Sequence, residues 1–185
     1  MREICRRAKA NIASVNYHFG DKERLYAETL KYGARVALTK FPPDAGLRPG
    51  ATPEEALHAF ILSFLRRFLE IGATPGWHGK LCSRELAEPT AALDDLVREV
   101  IVPLSKRLHD IVRTLLGPKV SEERVRLAQL SIVGQCLLYH HHRPVLERLF
   151  GPKAMTSRDI ERLARHITEF SLGAIRHLRK TEERA

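Results

Sequence analysis

Cysteine and histidine are the residue types in this chain that could bind a metal or carry out redox chemistry. Cys136 and His140 lie four positions apart, which would place both side chains on one face of a helix, and both are good ligands for zinc or copper. His141 and His142 follow directly, but consecutive residues of a helix point in different directions. The alternative interpretation is a buried thiol beside a polar helix end, and on that interpretation we expect no metal site.

Other motifs of enzyme chemistry are absent from the sequence. Cys5 and Cys82 have no evident activating neighbour, and the three cysteines form no C-x-x-C pair. There is no glycine-rich phosphate loop, nucleophile elbow or H-E-x-x-H motif. Arg84 and Glu85 are better explained as a buried ion pair than as a catalytic couple. We therefore expect that the protein is not an enzyme and binds no cofactor.

Basic residues are concentrated at the start of the chain. Lys and Arg number 31 and Asp and Glu 22 among 185 residues, and residues 1–40 alone hold nine basic and four acidic side chains. This excess favours an anionic partner such as nucleic acid, although a solvated basic surface is the alternative. No uncharged stretch reaches the roughly 20 residues of a membrane span, and no signal peptide opens the chain. We expect a soluble, cytoplasmic protein without a membrane partner.

Apolar residues at helical spacing predict long helices after residue 50. The clearest begins at Thr52, where Pro53 suits the first helical position and Glu55 can complete a capping box. Similar stripes run through residues 93–116, 127–138 and 160–178. Three local features are also predicted, namely a kink at Pro103, a cap at Thr156 or Ser157, and a frayed tail over residues 179–184. No stretch has the period of a strand, so we predict an all-α fold.

The first 40 residues predict a helix-turn-helix. Residues 2–8 and 13–19 predict two short helices joined by a tight turn, and Asp21 can cap a third, longer helix. The second helix of such a motif can enter the major groove of DNA. Residues 41–50, rich in Pro and Gly, mark the domain boundary. The residues expected to face the core of the motif are Ile4, Ala8, Val15 and Phe19.

Two segments carry a family resemblance. Residues 2–8, REICRRA, and residues 11–26, NIASVNYHFGDKERLY, resemble the DNA-binding signature of TetR-family transcriptional regulators. Lys9 stands at the turn where that family usually has glycine. The chain begins inside the first helix of the motif, so we expect the family's preceding helix to be absent. Residues 81–90 and 141–145 resemble the subgroup with a CecR-type C-terminal domain.

The resemblance implies roles for side chains of the second helix. The residues at positions where such regulators contact base edges are Ile12, Ala13, Ser14 and Asn16. Those at positions where they contact phosphates are Tyr17, His18 and Lys22. The chemistry agrees, because asparagine can pair with adenine, serine with several bases, and an apolar side chain with a thymine methyl group. The alternatives are that Tyr17 only packs and that His18 only caps the helix.

The resemblance also implies the organisation of the whole molecule. It divides the chain into a truncated helix-turn-helix DNA-binding domain at 1–41 and a ligand-binding and dimerisation domain at 51–185. Two helices, over 121–142 and 157–178, would join two copies into a homodimer that reads a near-palindromic operator in double-stranded DNA.

A small-molecule effector would bind among the central helices and release the DNA, so we expect a repressor. The candidate effector contacts are Phe64, Phe68, Trp77, His78, Arg84, Glu85 and Gln135, and core packing is the alternative role of the phenylalanines. The alternative function is a truncated dimerisation or interaction module that cannot bind DNA by itself.

Overall fold

The computed structural model describes residues 1–44, 46–69, 77–151 and 157–182, and within them the chain forms helices joined by turns, with no strand. The predicted all-α class is confirmed. The helices are α1 (Arg2–Ala8), α2 (Ile12–Phe19), α3 (Lys22–Lys40), α4 (Pro53–Leu69), α5 (Trp77–Ala87), α6 (Ala92–Leu96), a π-helical turn (Val97–Ile101), α7 (Val102–Leu116), α8 (Glu122–His141), α9 (Arg143–Phe150) and α10 (Ser157–Glu182).

The first three helices follow the sequence prediction closely. Lys9 ends α1 with a φ of 52°, a left-handed conformation that glycine adopts more easily than lysine. Asn11 then begins α2, and its Oδ1 accepts a hydrogen bond of 3.0 Å from the Ala13 amide. Asp21 caps α3 in the same way, through a 2.7 Å hydrogen bond from the Arg24 amide to its Oδ1. Side-chain caps therefore set the starts of α2 and α3.

The predicted inward face of α1 is wrong. Cys5 is buried, whereas Ile4 and Ala8 are exposed. A helix of two turns can bury only one narrow face against its neighbour, and here that face carries the thiol. On α2, Val15 is buried and Phe19 partly buried, as expected.

The main core lies between α4, α7, α8 and α10. The fully buried residues at its centre include Leu57, Ile61, Leu65, Leu108, Val125 and Ile167. The predicted capping box of α4 is confirmed: the Glu55 amide donates to Thr52 Oγ1 over 3.2 Å, and the Thr52 amide donates to Glu55 Oε2 over 2.7 Å. This pair of hydrogen bonds fixes the start of the helix that crosses the whole core.

The helix around Pro103 departs from the prediction. A π-helical turn occupies Val97–Ile101, and the Val102 amide bonds to the Val97 carbonyl. Pro103 has no amide to donate, and a widened turn before it accommodates the loss. The helix nevertheless continues through Pro103, and its apolar side chains at Leu96, Val100, Leu104 and Leu108 still face one side, as expected. Val97 is the exception, since it is exposed instead of buried.

The C-terminal helix is longer than expected. Residues 179–182, predicted as a frayed tail, are the last turn of α10, and Glu182 forms an ion pair of 2.7 Å with Arg124 of α8. The prediction is wrong there because this contact fixes the helix end against its neighbour. Residues 183 and 184, the candidate cap Thr156 and the side chain of Ser157 lie outside the described residues.

Candidate DNA-binding surface and effector cavity

The predicted DNA contacts form one exposed surface on α2 and the start of α3. Tyr17 is 86% exposed and Ile12 38% exposed, and the remaining five are also classed as exposed. These five residues are Ala13, Ser14, Asn16, His18 and Lys22. Val15, on the opposite side of α2, is the residue that anchors the helix. The side chains assigned to bases and phosphates are therefore available to a partner.

At the start of α3 the basic residues Lys22 and Arg24 are balanced by the acidic Asp21 and Glu23. Helix α2 contains no acidic residue. The nearby Glu3 accepts hydrogen bonds of 2.6 Å from Arg6 and 2.9 Å from Arg7, and the Arg6 guanidinium above all lowers the pKa of that carboxyl. The Asp21 carboxylate is engaged at the start of α3. No residue of α2 itself would repel a phosphate backbone electrostatically.

A largely apolar cavity of about 310 Å³ lies between α3 and the later helices of the chain. Its walls come from α3, α4, α5, α7, α8 and the π-helical turn with the end of α6. The apolar side chains that line it include Leu38, Phe60, Leu104, Leu108, Val133 and Leu137. A mostly apolar enclosure with a few polar groups is the usual form of a small-molecule site.

Three of the predicted effector contacts line this cavity, namely Phe64, Phe68 and His78. The rings of Phe68 and His78 are stacked with centroids 6.2 Å apart, and those of Phe64 and Phe68 lie 5.1 Å apart. Burial lowers the pKa of His78, and the charge of Arg67 lowers it further. The histidine therefore presents a neutral ring to the cavity at neutral pH.

The other four predicted contacts lie outside the lining of this cavity. Trp77 is 40% exposed at the start of α5, and Gln135 lies in a groove between α8 and α10. The proposed Arg84–Glu85 ion pair is wrong. Arg84 is exposed and lies 3.8 Å from Glu88, because side chains one position apart on a helix point in different directions.

Glu85 instead joins α5 to α3. It is fully buried, and its carboxylate accepts hydrogen bonds from Tyr26 of α3 and from the amide and hydroxyl of Thr90, over 2.7, 2.8 and 2.8 Å. Burial acts to raise the pKa of Glu85, but the hydrogen bonds from Thr90 and Tyr26 outweigh it, so the pKa is lowered. The group is therefore a buried, fully bonded carboxylate.

The far end of α3 is held by α4. The Ser63 hydroxyl donates to the Phe41 carbonyl over 2.6 Å, and the Arg67 guanidinium donates to the same oxygen over 3.3 Å. Arg67 is buried and lines the cavity, although it was not among the residues predicted from the sequence. The available signal was its spacing, since Arg67 falls three residues after Phe64 and seven after Phe60 on the apolar stripe of α4.

The histidines and cysteines form no evident metal site. No cluster of three or more His, Cys, Asp or Glu residues suited to a metal occurs in the described ranges. His140 Nε2 lies 3.0 Å from Ser83 Oγ, and burial raises the pKa of the Cys136 thiol to about 12. Burial likewise raises the pKa of Cys82 to about 11, so both thiols stay protonated and weakly reactive at neutral pH. Each helix of the described chain is also too short or too polar to cross a membrane.

Comparison with known proteins assigns most of the chain after residue 52 to a known domain family. Residues 53–175 match the family model described as the C-terminal domain of the HTH-type transcriptional dual regulator CecR. The curated protein HTH-type transcriptional dual regulator CecR of Shigella flexneri is 30% identical over 145 residues, which cover 75% of this chain and 65% of that relative. The match thus spans about two thirds of the relative's length. The chain belongs to the TetR-type regulators that carry a CecR C-terminal domain.

Proposed function

We propose that the chain is a homodimeric, DNA-binding transcriptional repressor that leaves its operator when a small-molecule effector binds. The observation that carries this proposal is the exposed, acid-free surface of α2. The relative's name, a transcriptional dual regulator, supports a role in transcription, and repression is our proposal for this chain. Binding to chromosomal DNA would place the protein in the cytoplasm.

The proposed reading of DNA uses two kinds of contact. Ser14 and Asn16 would hydrogen-bond to base edges while Ile12 and Ala13 meet thymine methyl groups. The residues that would bind phosphates and fix the position of α2 are Tyr17, His18 and Lys22. Lys22 is the exposed first residue of α3, where its ammonium group could reach a phosphate oxygen.

The dimer would form through α8 and α10. A groove between these helices is lined by apolar side chains such as Leu127 and Ile175 and by polar ones such as Gln135, and its lining residue Phe170 is 63% exposed. Gly134 and Gly173 lie inside the same two helices, and a Cβ added at either would meet nothing within 4 Å. A glycine inside an exposed helix lowers the stability of that helix by about 1 kcal/mol relative to alanine. A second helix backbone that packs closely against these positions would explain why glycine stands there. A pair of such helices from each copy would give a four-helix interface.

Effector binding would act through α3, which lines the cavity. Helices α1 and α2, the proposed DNA-binding segment, directly precede it. Ala34, Ala37 and Leu38 of α3 face the cavity. Gly33 lies so close to α5 that a Cβ there would be 2.6 Å from His78 Nδ1. A ligand that displaces His78 or these alanines would shift α3 and change the spacing of the two DNA-binding segments in the dimer.

Fluorescence anisotropy with the whole chain tests the proposal. Short labelled duplexes would first be selected from a random library by binding to the protein. We expect the affinity for the selected duplex to fall by about 10-fold or more between roughly 50 and 200 mM salt, because several phosphate contacts release counterions. Failure to enrich any duplex, or an affinity that is insensitive to salt, would contradict DNA binding.

Sedimentation equilibrium tests the dimer separately. Phe170→Glu would place a charge in the apolar groove and yield a monomer, whereas Val102→Glu, at a residue 54% exposed on α7, would remain dimeric. If both variants sediment alike, the interface lies elsewhere. The monomer should also bind the selected duplex more weakly, since it reads one half-site instead of two.

A second candidate function is an interaction module that dimerises without binding DNA. The observation that favours it is the small buried surface of the helix-turn-helix, in which α1 and α2 bury only Cys5 and Val15. Under this alternative the chain would form dimers in sedimentation yet enrich no duplex from the library. The two experiments together therefore distinguish the regulator from the interaction module.

A further inference from the structure

Arg67 is a buried cation with an unused hydrogen-bond donor. It is 4% exposed, and its Nη1 donates to Ser63 Oγ over 2.9 Å and to the Phe41 carbonyl over 3.3 Å. Its Nη2 is buried and has no hydrogen-bond partner. No carboxylate of the described residues forms an ion pair with it, although the neighbouring Arg66 pairs with Glu161. A buried donor without an acceptor is rare in native proteins and calls for an explanation.

The charge of Arg67 is poorly compensated by its surroundings. Burial lowers the pKa of the guanidinium to about 10, which still leaves it protonated at neutral pH. The Phe64 ring, centred 5.6 Å away, offers a cation–π contact. Cys136 and His78 lie near enough to affect it, but burial keeps the thiol protonated and the imidazole neutral. A buried charge without a counterion is costly, so an anionic partner would gain from entering.

The space next to Arg67 is the apolar cavity described above. Arg67 is part of its lining, together with neutral polar groups such as His78 and Gln129. Gln129 is itself engaged, since its Nε2 donates to Ser105 Oγ over 2.7 Å. The cavity thus combines one formal positive charge with walls of aliphatic and aromatic side chains.

We propose that the effector is an amphiphilic monoanion, with one carboxylate that accepts a hydrogen bond from Arg67 Nη2 and an apolar chain that fills the cavity. This inference rests on the proposed effector site and names its ligand class. A cavity of about 310 Å³ lies at the small end of ligand pockets and suits a body of about ten carbon atoms.

The same guanidinium offers a route from the ligand to the DNA-binding segment. Nη1 holds the carbonyl of Phe41, the residue that ends α3, through a long hydrogen bond of 3.3 Å. A carboxylate in the cavity draws the guanidinium toward itself, because a charge-assisted hydrogen bond is stronger than one to a neutral carbonyl. Ligand binding therefore weakens the contact of α4 with the end of α3.

Isothermal titration calorimetry of the whole chain tests the ligand class with three probes that share a ten-carbon chain, namely decanoate, 1-decanol and decyltrimethylammonium. We expect decanoate to bind at one site per chain, about 10-fold or more tightly than decanol, since a charged hydrogen bond replaces an unmade one. Decyltrimethylammonium should bind most weakly. Equal affinities for decanoate and decanol, or tighter binding of the cation, would overturn the inference.

Two variants of Arg67 sharpen the test. Arg67→Gln keeps a donor for Ser63 but removes the charge, and we expect it to bind both probes with the affinity of the wild-type chain for decanol. Arg67→Lys retains the charge and should keep a preference for decanoate. A preference that survives in Arg67→Gln contradicts the assignment. Should Arg67→Gln fail to fold, the ratio of the two affinities in the wild-type chain decides the question.

The outcomes separate this inference from the proposed function on which it rests. Binding of decanol and decanoate with equal affinity would leave the effector cavity in place and reject the anionic ligand. Binding of neither probe would reject the cavity as a site for a ligand of this size, and the inference with it. DNA binding, measured by anisotropy without any ligand, is independent of both results.

Discussion

Helix α1 buries a single side chain, that of Cys5, and α2 buries only Val15, whereas α4 buries residues along its whole length. Nearly all other side chains of these two helices are exposed to solvent. The regulatory helices enclose a continuous apolar core from Leu57 to Ile175. The surface proposed to bind DNA is therefore supported by very little packing of its own.

Helix α3 joins the two regions and belongs structurally to the second. Leu30 is fully buried against Cys82 and Ala92, and Tyr26 is bonded to Glu85. The position of α2 therefore depends on how α3 lies against the regulatory helices. Elements with few buried apolar contacts open at lower free energy than the core, so α1 and α2 should exchange their amide hydrogens fastest.

The largest effect is expected from a cavity in the core. Ile61 is fully buried on α4, and Ile61→Ala should lower the free energy of unfolding by about 2–5 kcal/mol. Val15→Ala should instead speed hydrogen exchange in residues 2–19 with little change in the global unfolding transition. Denaturant unfolding followed by circular dichroism measures the first, and exchange mass spectrometry the second. An equal loss of global stability in both variants would contradict the contrast between the regions.

A smaller effect is expected at the contact between the regions. Glu85→Gln replaces a buried carboxylate that accepts hydrogen bonds from Tyr26 and Thr90, so stability at neutral pH should fall by roughly 1.5–3 kcal/mol. Because the pKa of Glu85 is lowered on folding, its contribution is present above about pH 4 and is lost as the pH falls further. The two proteins should therefore converge in stability in acid.

The matched control for this variant is Glu88→Gln, whose carboxylate is exposed and 3.8 Å from Arg84. Exposed ion pairs contribute little, so this control should differ from the wild-type chain by less than about 0.5 kcal/mol. Equal effects of the two substitutions, measured by urea unfolding at several pH values, would refute the role given to Glu85.

The smallest effect is expected at the turn between α1 and α2. Lys9 has a φ of 52°, so Lys9→Gly should relieve strain by about 1 kcal/mol or less and slow exchange in α1 and α2. Lys9→Ala removes the same charge but keeps the Cβ, and it should bring no gain. Slower exchange in both variants would assign the effect to charge instead of backbone conformation.

Local signals predicted much of the fold. The capping box of Thr52 and Glu55 and the cap at Asp21 each act within one turn of helix, so they could be predicted from neighbouring residues. The apolar spacing of α4 repeats over several turns and predicted its buried face. The buried face of α1 could not be predicted in this way, because it depends on which neighbouring helix covers it, and that information is not local. Pro103 indicated a disturbed turn, but not its π-helical form.

The candidate sites divide in the same way. The α2 side chains were assigned to DNA through the resemblance to TetR-family regulators, and the structure exposes Ile12, Ala13, Ser14, Asn16, Tyr17 and His18. The assignments of Arg84, Glu85, Trp77 and Gln135 to a pocket depended on long-range geometry, and the four residues do not line the apolar cavity. Arg67 was missed because its spacing places it on the apolar stripe of α4, but no residue nearby in the sequence indicates that an arginine is buried there.

The central claim is that the exposed face of α2 binds DNA, and Asn16→Ala tests it most directly. Affinity for the selected duplex would be measured by anisotropy at one salt concentration, with Thr39→Ala, at an exposed position on α3, as the control. We expect Asn16→Ala to weaken binding by about 1–3 kcal/mol with unchanged thermal stability, and Thr39→Ala to bind like the wild-type chain. Equal affinities for the two variants would contradict it.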